Sequence, residues 1–146
     1  MREWVTGRDI NDAFLQQIRE NVIQIGRDLS GSQGGNAQSI AVAVTQDAGF
    51  IGGATGRTEF RRLFVDFLWV DAQWRGIGLA SETLHKLEAL AVERGCVDAM
   101  IETFDDGIAA WYARSGYKLI ALVPDYVGPW NRHTLLKSLG DGQPDS

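Results

Sequence analysis

The stretch that decides the fold reads Leu68-Trp69-Val70-Asp71-Ala72-Gln73-Trp74-Arg75-Gly76-Ile77-Gly78-Leu79-Ala80. An apolar, β-like run ends at Val70, and a helical pattern begins inside the glycine-containing segment. Glycine lets the main chain approach a bulky anion, and the unpaired N–H groups of a first helical turn favour negative charge. The stretch therefore predicts a strand-to-helix turn that cradles a diphosphate. On spacing alone the signal is weak, because any tight turn before a helix can hold two glycines.

Two common diphosphate-binding motifs do not fit this segment. A dinucleotide fingerprint has a third glycine and a ribose-binding acid after the next strand, and neither is present. A P-loop places a Lys-Ser or Lys-Thr pair after its glycines, and that pair is also missing. Coenzyme A (CoA), with its 3′-phosphorylated ADP end, is the remaining common ligand.

The bulk composition favours one small domain. The chain has 146 residues, 45% of them hydrophobic, which is enough for one core and too short for two ordinary domains. We expect a single domain over residues 1–139 and a disordered tail over residues 140–146. No run of about 18 apolar residues occurs, and the N-terminus lacks a signal-peptide pattern. We therefore expect a soluble, cytoplasmic protein that does not bind membranes.

Charge and metal-binding residue types narrow the partners. A formal net charge of −5 argues against the basic surface that nucleic-acid binding requires, and it suits cationic or neutral substrates. One cysteine and two histidines are too few for a thiolate-rich metal site, so no metal is expected.

Hydrophobic periodicity predicts a mixed α/β chain with a mostly antiparallel sheet. The apolar spacing indicates a helix that starts near Asp9, which is available as its N-cap, and a glycine-rich loop follows over residues 30–36. Residues 124–130 form a proline-bracketed loop that is a candidate wall of the acceptor pocket. The remaining predictions are strands at 39–46, 50–58, 62–70, 97–103, 117–123 and 132–138, and helices at 80–91 and 107–115.

The phosphate turn also resembles a known family. One motif of the GNAT superfamily of N-acetyltransferases reads Arg or Gln, two residues, Gly, one residue, then Gly or Ala. The turn resembles this motif at Arg75, Gly78 and Ala80. Residues 109–117 resemble the family's second signature, an aromatic-Tyr pair followed by a Gly-Tyr that opens the next strand. About 36 residues separate Gly76 from Tyr112, which leaves room for one helix, one strand and a helix start. Two signatures in this order are much more specific than either one.

The resemblance implies a GNAT-like central twisted sheet, opened by a splay or bulge and flanked by helices, with acetyl-CoA as co-substrate. It also implies a short strand before the first helix, at residues 2–6. Asp105 stands where many members carry Asn, seven residues before the tyrosine, and a carboxylate can still accept from a pantetheine amide. The implied CoA-binding residues are Leu68, Trp69, Val70, Arg75, Gly76, Ile77, Gly78, Leu79, Ala80, Asp105 and Tyr112.

Acetyl transfer to an amine requires a base. A lysine-like amine with a pKa near 10.4 must lose a proton, at a free-energy cost of about 4.6 kcal/mol at pH 7. Asp66 is the first candidate, since it lies on the strand leading to the turn and, by simple alternation, shares a face with Leu68 and Val70. It can equally be a solvent-facing or cross-strand charge. Glu102 and Glu59 are alternatives, and the sequence does not choose among the three.

The leaving thiolate requires an acid, and the resemblance implies that Tyr112 donates this proton to the CoA sulfur. A phenol with a pKa near 10 is neutral beforehand and can act in this way. The alternative is that Tyr112 and Trp111 only pack the short helix against the sheet. The resemblance further implies that a backbone N–H near the strand end, with Val70 the first candidate, polarises the thioester carbonyl.

These residues predict an N-acetyltransferase that moves the acetyl group of acetyl-CoA directly to a primary amine of a small molecule. Two alternatives remain open: a protein or peptide N-acetyltransferase, and a non-catalytic CoA-binding regulatory module. A homodimer is also open, because dimers are common in proteins of this kind. Nothing in the sequence identifies the acceptor.

Overall fold

A computed structural model of the chain describes residues 1–31 and 37–140. The chain divides into two compact units, residues 1–36 and residues 37–146. Most of the glycine-rich loop at 30–36 and of the tail at 140–146 lies outside the described residues. The single domain expected over residues 1–139 stays a prediction.

The first unit contains one long helix, α1 (Asp12–Ser30). It begins two residues later than an N-cap at Asp9 predicts, because Asn11 is the N-cap and its side-chain oxygen accepts a hydrogen bond from the Phe14 N–H at 2.9 Å. Asp9 belongs instead to a short 3-10 turn, Gly7–Asp9. The prediction of a strand at residues 2–6 was wrong. This segment is irregular, and it pairs with none of the six described strands. No helix in residues 1–31 or 37–140 is long and apolar enough to cross a membrane.

The second unit is built on a six-stranded sheet. Its strands are β1 (Gln38–Gln46), β2 (Gly49–Glu59), β3 (Arg62–Val70), β4 (Asp98–Thr103), β5 (Lys118–Val127) and β6 (Trp130–Ser138). They lie in the order β1-β2-β3-β4-β6-β5, and every neighbouring pair is antiparallel except β3 with β4. The predicted mixed α/β class and the antiparallel meander of β1 to β3 are therefore confirmed.

The sheet is open in its middle. Strands β3 and β4 pair only over three residues, from Arg62 opposite Asp98 to Phe64 opposite Met100, although both strands continue beyond that point. The closed end is held by a two-pronged ion pair in which the Arg62 guanidinium donates to the Asp98 carboxylate at 2.7 and 3.0 Å. β3 also contains a bulge, because Thr55 of β2 pairs with Phe67 and the next residue pairs with Val65, which leaves Asp66 without a partner.

Two helices cover the sheet's core. Helix α2 (Leu79–Glu93) packs on β1, β2 and β3, and α3 (Asp106–Arg114) packs on β4 and β6. Both helices contribute to one hydrophobic cluster. α2 ends as predicted, with Gly95 just beyond it in the left-handed conformation (φ +90°) that ordinary side chains avoid. The fully buried members of the cluster include Leu63, Leu84, Leu87, Ala91, Ala99 and Leu135.

A charged cluster is buried beside this core. Glu88 of α2 is 5% exposed, and its carboxylate accepts hydrogen bonds from the Tyr117 hydroxyl at 2.7 Å and from the Lys137 ammonium at 2.9 Å. The ring of Tyr117 is itself only 2% exposed. Both carboxylate oxygens are thus paired, which is the condition under which a carboxylate can be buried. The cluster ties α2 to the start of β5 and to β6.

The loop predicted over residues 124–130 is mostly strand. β5 extends to Val127 and β6 begins at Trp130, so that only Gly128 and Pro129 lie between them. An irregularity in the pairing between Val123 and Val127 accommodates Pro124, which has no N–H to donate. Pairing with β6 extends β5 to Val127 and confines the turn to Gly128 and Pro129.

The close approach of β2 and β3 at the bulge gives a test of the fold. A Cβ atom added at Gly56 would lie 2.2 Å from the backbone oxygen of Phe64, and main chain cannot yield as a flexible side chain can. We expect Gly56→Ala to lower the free energy of unfolding by about 1–3 kcal/mol, measured by urea denaturation followed by tryptophan fluorescence. Gly49→Ala is the control, since its Cβ would meet its nearest atom at 3.3 Å. Equal midpoints for the two variants would contradict this account of the bulge.

Candidate active site

The phosphate turn has the conformation that an anion cradle needs. β3 ends at Val70, a 3-10 turn (Ala72–Trp74) follows, and α2 begins at Leu79. Gly76 and Gly78 adopt positive φ angles of +82° and +83°, and Gly78 is the N-cap of α2 without any side-chain cap. A Cβ at either glycine would meet no atom within 4 Å. The first N–H groups of α2 are therefore left for an incoming anion, in a place with room for one.

Arg75 fastens this turn to the strand. Its Nε donates a hydrogen bond to the Val70 carbonyl at 2.9 Å. This bond holds the guanidinium between the strand end and the glycines. Arg75 is thus close to the edge of β3 and within the turn at once, where its charge favours a bound diphosphate.

The strand edge that faces the opening is unpaired at its end. The Asp71 N–H donates to the Ile51 carbonyl of β2 at 2.8 Å. Because successive N–H groups in a strand point to opposite edges, the Val70 N–H points away from β2, and the Val70 carbonyl does so too, since Arg75 reaches it there. Pairing with β4 stops at Phe64. The main-chain groups of Val70 and, by the same alternation, of Leu68 face the opened side of the sheet.

A cavity of about 350 Å³ lies at this opening. It is bounded by the end of β3, by the phosphate turn and by one side of α3. Six of the predicted CoA-binding residues line it: Leu68, Trp69, Val70, Arg75, Ala80 and Tyr112. The structure thus brings together groups that lie up to 44 positions apart in the chain.

Tyr112 presents its hydroxyl to this cavity from a buried ring. The residue is 7% exposed, and its ring packs edge-on against Trp111 at 4.9 Å and Tyr117 at 5.5 Å between centroids. Its hydroxyl bonds to no described residue, and no buried side-chain oxygen or nitrogen in the described parts of the chain lacks a partner, so the hydroxyl reaches the cavity. Burial raises the pKa of Tyr112 to about 12.

Asp66 lies at a second cavity, of about 320 Å³, between β3 and β4. The bulge corrects the predicted orientation: it interrupts the alternation of β3, so that Asp66 does not share the face of Leu68 and Val70. Its carboxylate is instead 3.6 Å from the guanidinium of Arg57 on β2. At about 3.3 Å per residue, Asp66 still precedes Leu68 by only about 7 Å along the strand.

The other two candidate bases differ in position. Glu102 lines the same cavity as Asp66, and its carboxylate accepts a hydrogen bond from Arg132 of β6. Glu59 does not line this cavity, and its carboxylate lies 3.9 Å from Arg57. The geometry therefore groups Asp66 with Glu102.

The remaining predicted CoA-binding residues lie around the turn or on α3. Ile77 is exposed between the two glycines, and Leu79 is the first residue of α2. Asp105 is the N-cap of α3, where its Oδ1 accepts from the Ile108 N–H at 2.9 Å. Trp69 lines the cavity, and its ring stacks on Phe50 at 5.5 Å. The roles of these residues stay predictions.

Two cavity residues were missing from the sequence-based set. Ile108 and Trp111 line the first cavity together with Tyr112. Their positions are four and one residues before Tyr112, and the i, i+3, i+4 spacing of one helix face was the signal that could have found them. In the second cavity the missed residues come from three different strands and carry no local pattern: Arg57, Phe64, Val65, Phe67 and Met100.

The raised pKa of Tyr112 predicts a loss of stability in alkali. Between about pH 10, where an exposed phenol titrates in the unfolded chain, and pH 12, only the unfolded state releases this proton, so the free energy of unfolding falls as pH rises. Tyr112 contributes up to roughly 3 kcal/mol to this fall. We expect Tyr112→Phe to show a shallower slope in urea unfolding measured from about pH 9 to pH 11.

The matched control is Tyr126→Phe, because Tyr126 is 49% exposed. Its slope should equal that of the unmodified protein. Parallel slopes for the Tyr112 and Tyr126 variants would show that Tyr112 titrates as an ordinary phenol.

Comparison with known proteins agrees with this geometry. The chain is 43% identical over 89 residues to the blasticidin-S acetyltransferase of Streptomyces morookaense, a match that covers 60% of this chain and 65% of that protein. It is 29% identical over 113 residues to acetyltransferase Atu2258 of Agrobacterium fabrum, covering 77% and 82%. A crystal structure of an acetyltransferase from Bacillus cereus has a TM-score of 0.83 at 26% identity, covering 94% of this chain and 97% of that one. Residues 12–117, well over half of the chain, match the model of the Acetyltransferase (GNAT) family, and the chain therefore belongs to that family.

Proposed function

We propose that this acetyltransferase uses acetyl-CoA and transfers the acetyl group directly to a primary amine of a small molecule. One observation carries the proposal: a single cavity joins the open edge of β3, the glycine turn with Arg75, and the Tyr112 hydroxyl. A diphosphate at the turn and a thioester near Tyr112 are the two ends of acetyl-CoA. The Leu68 main-chain groups and the Val70 N–H, which face the opening, supply hydrogen bonds for the amide-containing arm between those two ends.

In the proposed step the amine nitrogen forms a bond to the acetyl carbon, and the bond from that carbon to sulfur breaks. The Val70 N–H donates to the carbonyl oxygen, where negative charge develops. Asp66 accepts, directly or through water, the proton that turns the ammonium into the attacking amine, and Tyr112 gives a proton to the sulfur. The second nitrogen proton is released as the C–N bond forms and passes through solvent to Tyr112, which restores its hydroxyl. The proton that Asp66 accepts is the costly one to remove, since converting a lysine-like ammonium into its neutral amine at pH 7 takes about 4.6 kcal/mol.

The pKa of Tyr112 sets a condition on its role. A phenol with a pKa of about 12 is neutral throughout the physiological range, so the proton is in place before each turnover. A thiol with a pKa near 8.5 would take that proton only against a gradient of about 3.5 pKa units in water. The same apolar walls that raise the phenol's pKa also destabilise a thiolate and so raise the pKa of the thiol. The difference between the two pKa values is therefore smaller in the cavity. Tyr112 therefore hydrogen-bonds to the sulfur as negative charge develops there and transfers its proton as the carbon–sulfur bond breaks.

Two observations favour a small, cationic acceptor. The similar protein from Streptomyces morookaense is a blasticidin-S acetyltransferase, and blasticidin S is a small molecule. The cavity beside the opening carries two carboxylates, Asp66 and Glu102, which attract an ammonium group. The activity is tested by measuring thiol release from acetyl-CoA with blasticidin S, aminoglycosides, polyamines, amino acids and peptides. Activity with peptides alone, or with no amine, would overturn the proposal.

Replacing Tyr112 separates catalysis from binding. We expect Tyr112→Phe to lower kcat by at least tenfold, because the sulfur loses its proton donor, and to leave the Kd for acetyl-CoA within about twofold. Thiol-release kinetics and calorimetric titration measure the two quantities. Tyr126→Phe removes a hydroxyl outside the cavity and should change neither kcat nor the Kd for acetyl-CoA. An unchanged kcat in Tyr112→Phe would leave only a packing role for the hydroxyl.

Replacing Arg75 tests the diphosphate site. Arg75→Ala removes a charge from the turn and also the hydrogen bond to Val70, so the Kd for CoA should rise at least tenfold. Arg114→Ala is the control, since Arg114 is exposed in the last turn of α3 and does not line the cavity. Calorimetric titration with CoA checks both variants. Equal affinities would mean that the diphosphate binds elsewhere.

A further inference from the structure

Arg57 differs from the neighbouring arginines Arg62 and Arg75 in that its guanidinium makes no hydrogen bond to a described residue. Arg62 binds Asp98 through two hydrogen bonds, and Arg75 donates to a main-chain carbonyl. Arg57 has only two long contacts, 3.6 Å to Asp66 and 3.9 Å to Glu59, and both exceed hydrogen-bond distance. No hydrogen bond joins its guanidinium to any residue within 1–31 or 37–140. Its five N–H groups are therefore available to a ligand.

The guanidinium of Arg57 is also held in place. It lies over the ring of Phe64, its cross-strand partner on β3, with 4.2 Å between the guanidinium carbon and the ring centroid. Such stacking fixes the plane of the fork without using its N–H donors. The side chain is 45% exposed and lines the second cavity. An oriented, accessible guanidinium with free donors is suited to a carboxylate or a phosphate, which it binds through two parallel hydrogen bonds.

The same cavity carries the opposite charge as well. The carboxylates of Asp66 and Glu102 line it together with Arg57. Glu102 is already paired with Arg132, and Asp66 occupies the bulge. The lining thus offers carboxylates for an ammonium and a guanidinium for an anion. An ammonium that pairs with Asp66 competes with Arg57, whose contacts to Asp66 and Glu59 are 3.6 and 3.9 Å, whereas a ligand with both charges has a partner for each.

From this arrangement we infer that the acceptor carries an anionic group, a carboxylate or a phosphate, in addition to its amine, and that Arg57 binds that anion. The inference rests on the proposed function, because it assigns the second cavity to the acceptor. The amine points along β3 toward Asp66 and Leu68, and the anion lies against Arg57 and Phe64. Arg57 is a residue that determines specificity and takes no proton in the reaction.

Matched acceptors that differ in the anion test this inference. L-Lysine and cadaverine share a terminal amine and differ by a carboxylate, and phosphoethanolamine and ethanolamine differ by a phosphate. Thiol release gives kcat/KM, and calorimetry in the presence of CoA gives the Kd of each compound. We expect the anionic member of at least one pair to be favoured by tenfold or more, mainly through KM and Kd. The pair that shows it identifies the anion.

Variants assign the preference to the side chain. Arg57→Ala should equalise the two members of the preferred pair by weakening the anionic one, with kcat changed less than threefold. Arg57→Lys keeps the charge without the fork and should restore part of the preference. Arg132→Ala, which leaves Arg57 in place, is the control for loss of a nearby positive charge. A preference that survives Arg57→Ala overturns the inference.

The outcomes separate this inference from the proposed function. Thiol release with amines but without any preference for the anionic members keeps the transferase and overturns the role of Arg57. If no thiol is released, the proposed function fails, and the calorimetric Kd values still decide whether Arg57 binds the anion. No binding of either anionic compound at millimolar concentration overturns the inference in every case.

Discussion

The short pairing of β3 with β4 is the constraint on which the site depends. Parallel hydrogen bonding stops after Phe64 and Met100, and the Arg62–Asp98 ion pair clamps the closed end. Had the pairing continued in this register, Thr103 at the end of β4 would lie opposite Phe67, and main-chain groups beyond Phe64 would be paired between the strands. The helices permit this loss of sheet hydrogen bonds because α2 and α3 share one hydrophobic cluster across both halves. The core thus holds together two strands that the backbone leaves apart.

The opening also separates two kinds of surface along one strand. The end of β3 borders the cavity with the glycine turn and Tyr112, whereas its middle, with the bulge at Asp66, borders the charged cavity. A bulge adds a residue without lengthening the partner strand, so it turns the side chain of Asp66 away from the face that alternation gives it. The donor and acceptor sides of the proposed reaction are consequently only a few residues apart on the same strand.

Local patterns predicted much of this architecture. The strand end at Val70, the glycine turn and the helix that follows depend on residues within one turn of each other, and the predicted bounds of β3 match the observed ones. The family resemblance, tested by the match over residues 12–117, was correct. The N-cap of α1 was misplaced at Asp9 because Asn11, two residues later, offers the better-placed oxygen. This error is a choice between two nearby residues that can both cap a helix.

Other features depend on distant parts of the chain and had no local signal. The face of Asp66 is set by the register of β3 with β2. Arg57 reads as an ordinary charged residue of a strand until Phe64 and Asp66 are placed beside it by β3. Residue types were sufficient to suggest the chemistry, whereas the grouping of charges at the second cavity required the folded sheet.

The buried contacts of Glu88 limit how this protein can change. Each of its two carboxylate oxygens has one partner, Tyr117 or Lys137, and those partners lie on different secondary-structure elements from Glu88. Exchange of Glu88 alone would leave an ammonium largely buried without its counter-ion, which is more costly than replacement of the whole group by apolar side chains of similar volume. The three positions should therefore vary together among natural relatives and be redesigned as a set. None of the three lines the acceptor cavity, so that cavity can be redesigned while this cluster is left unchanged.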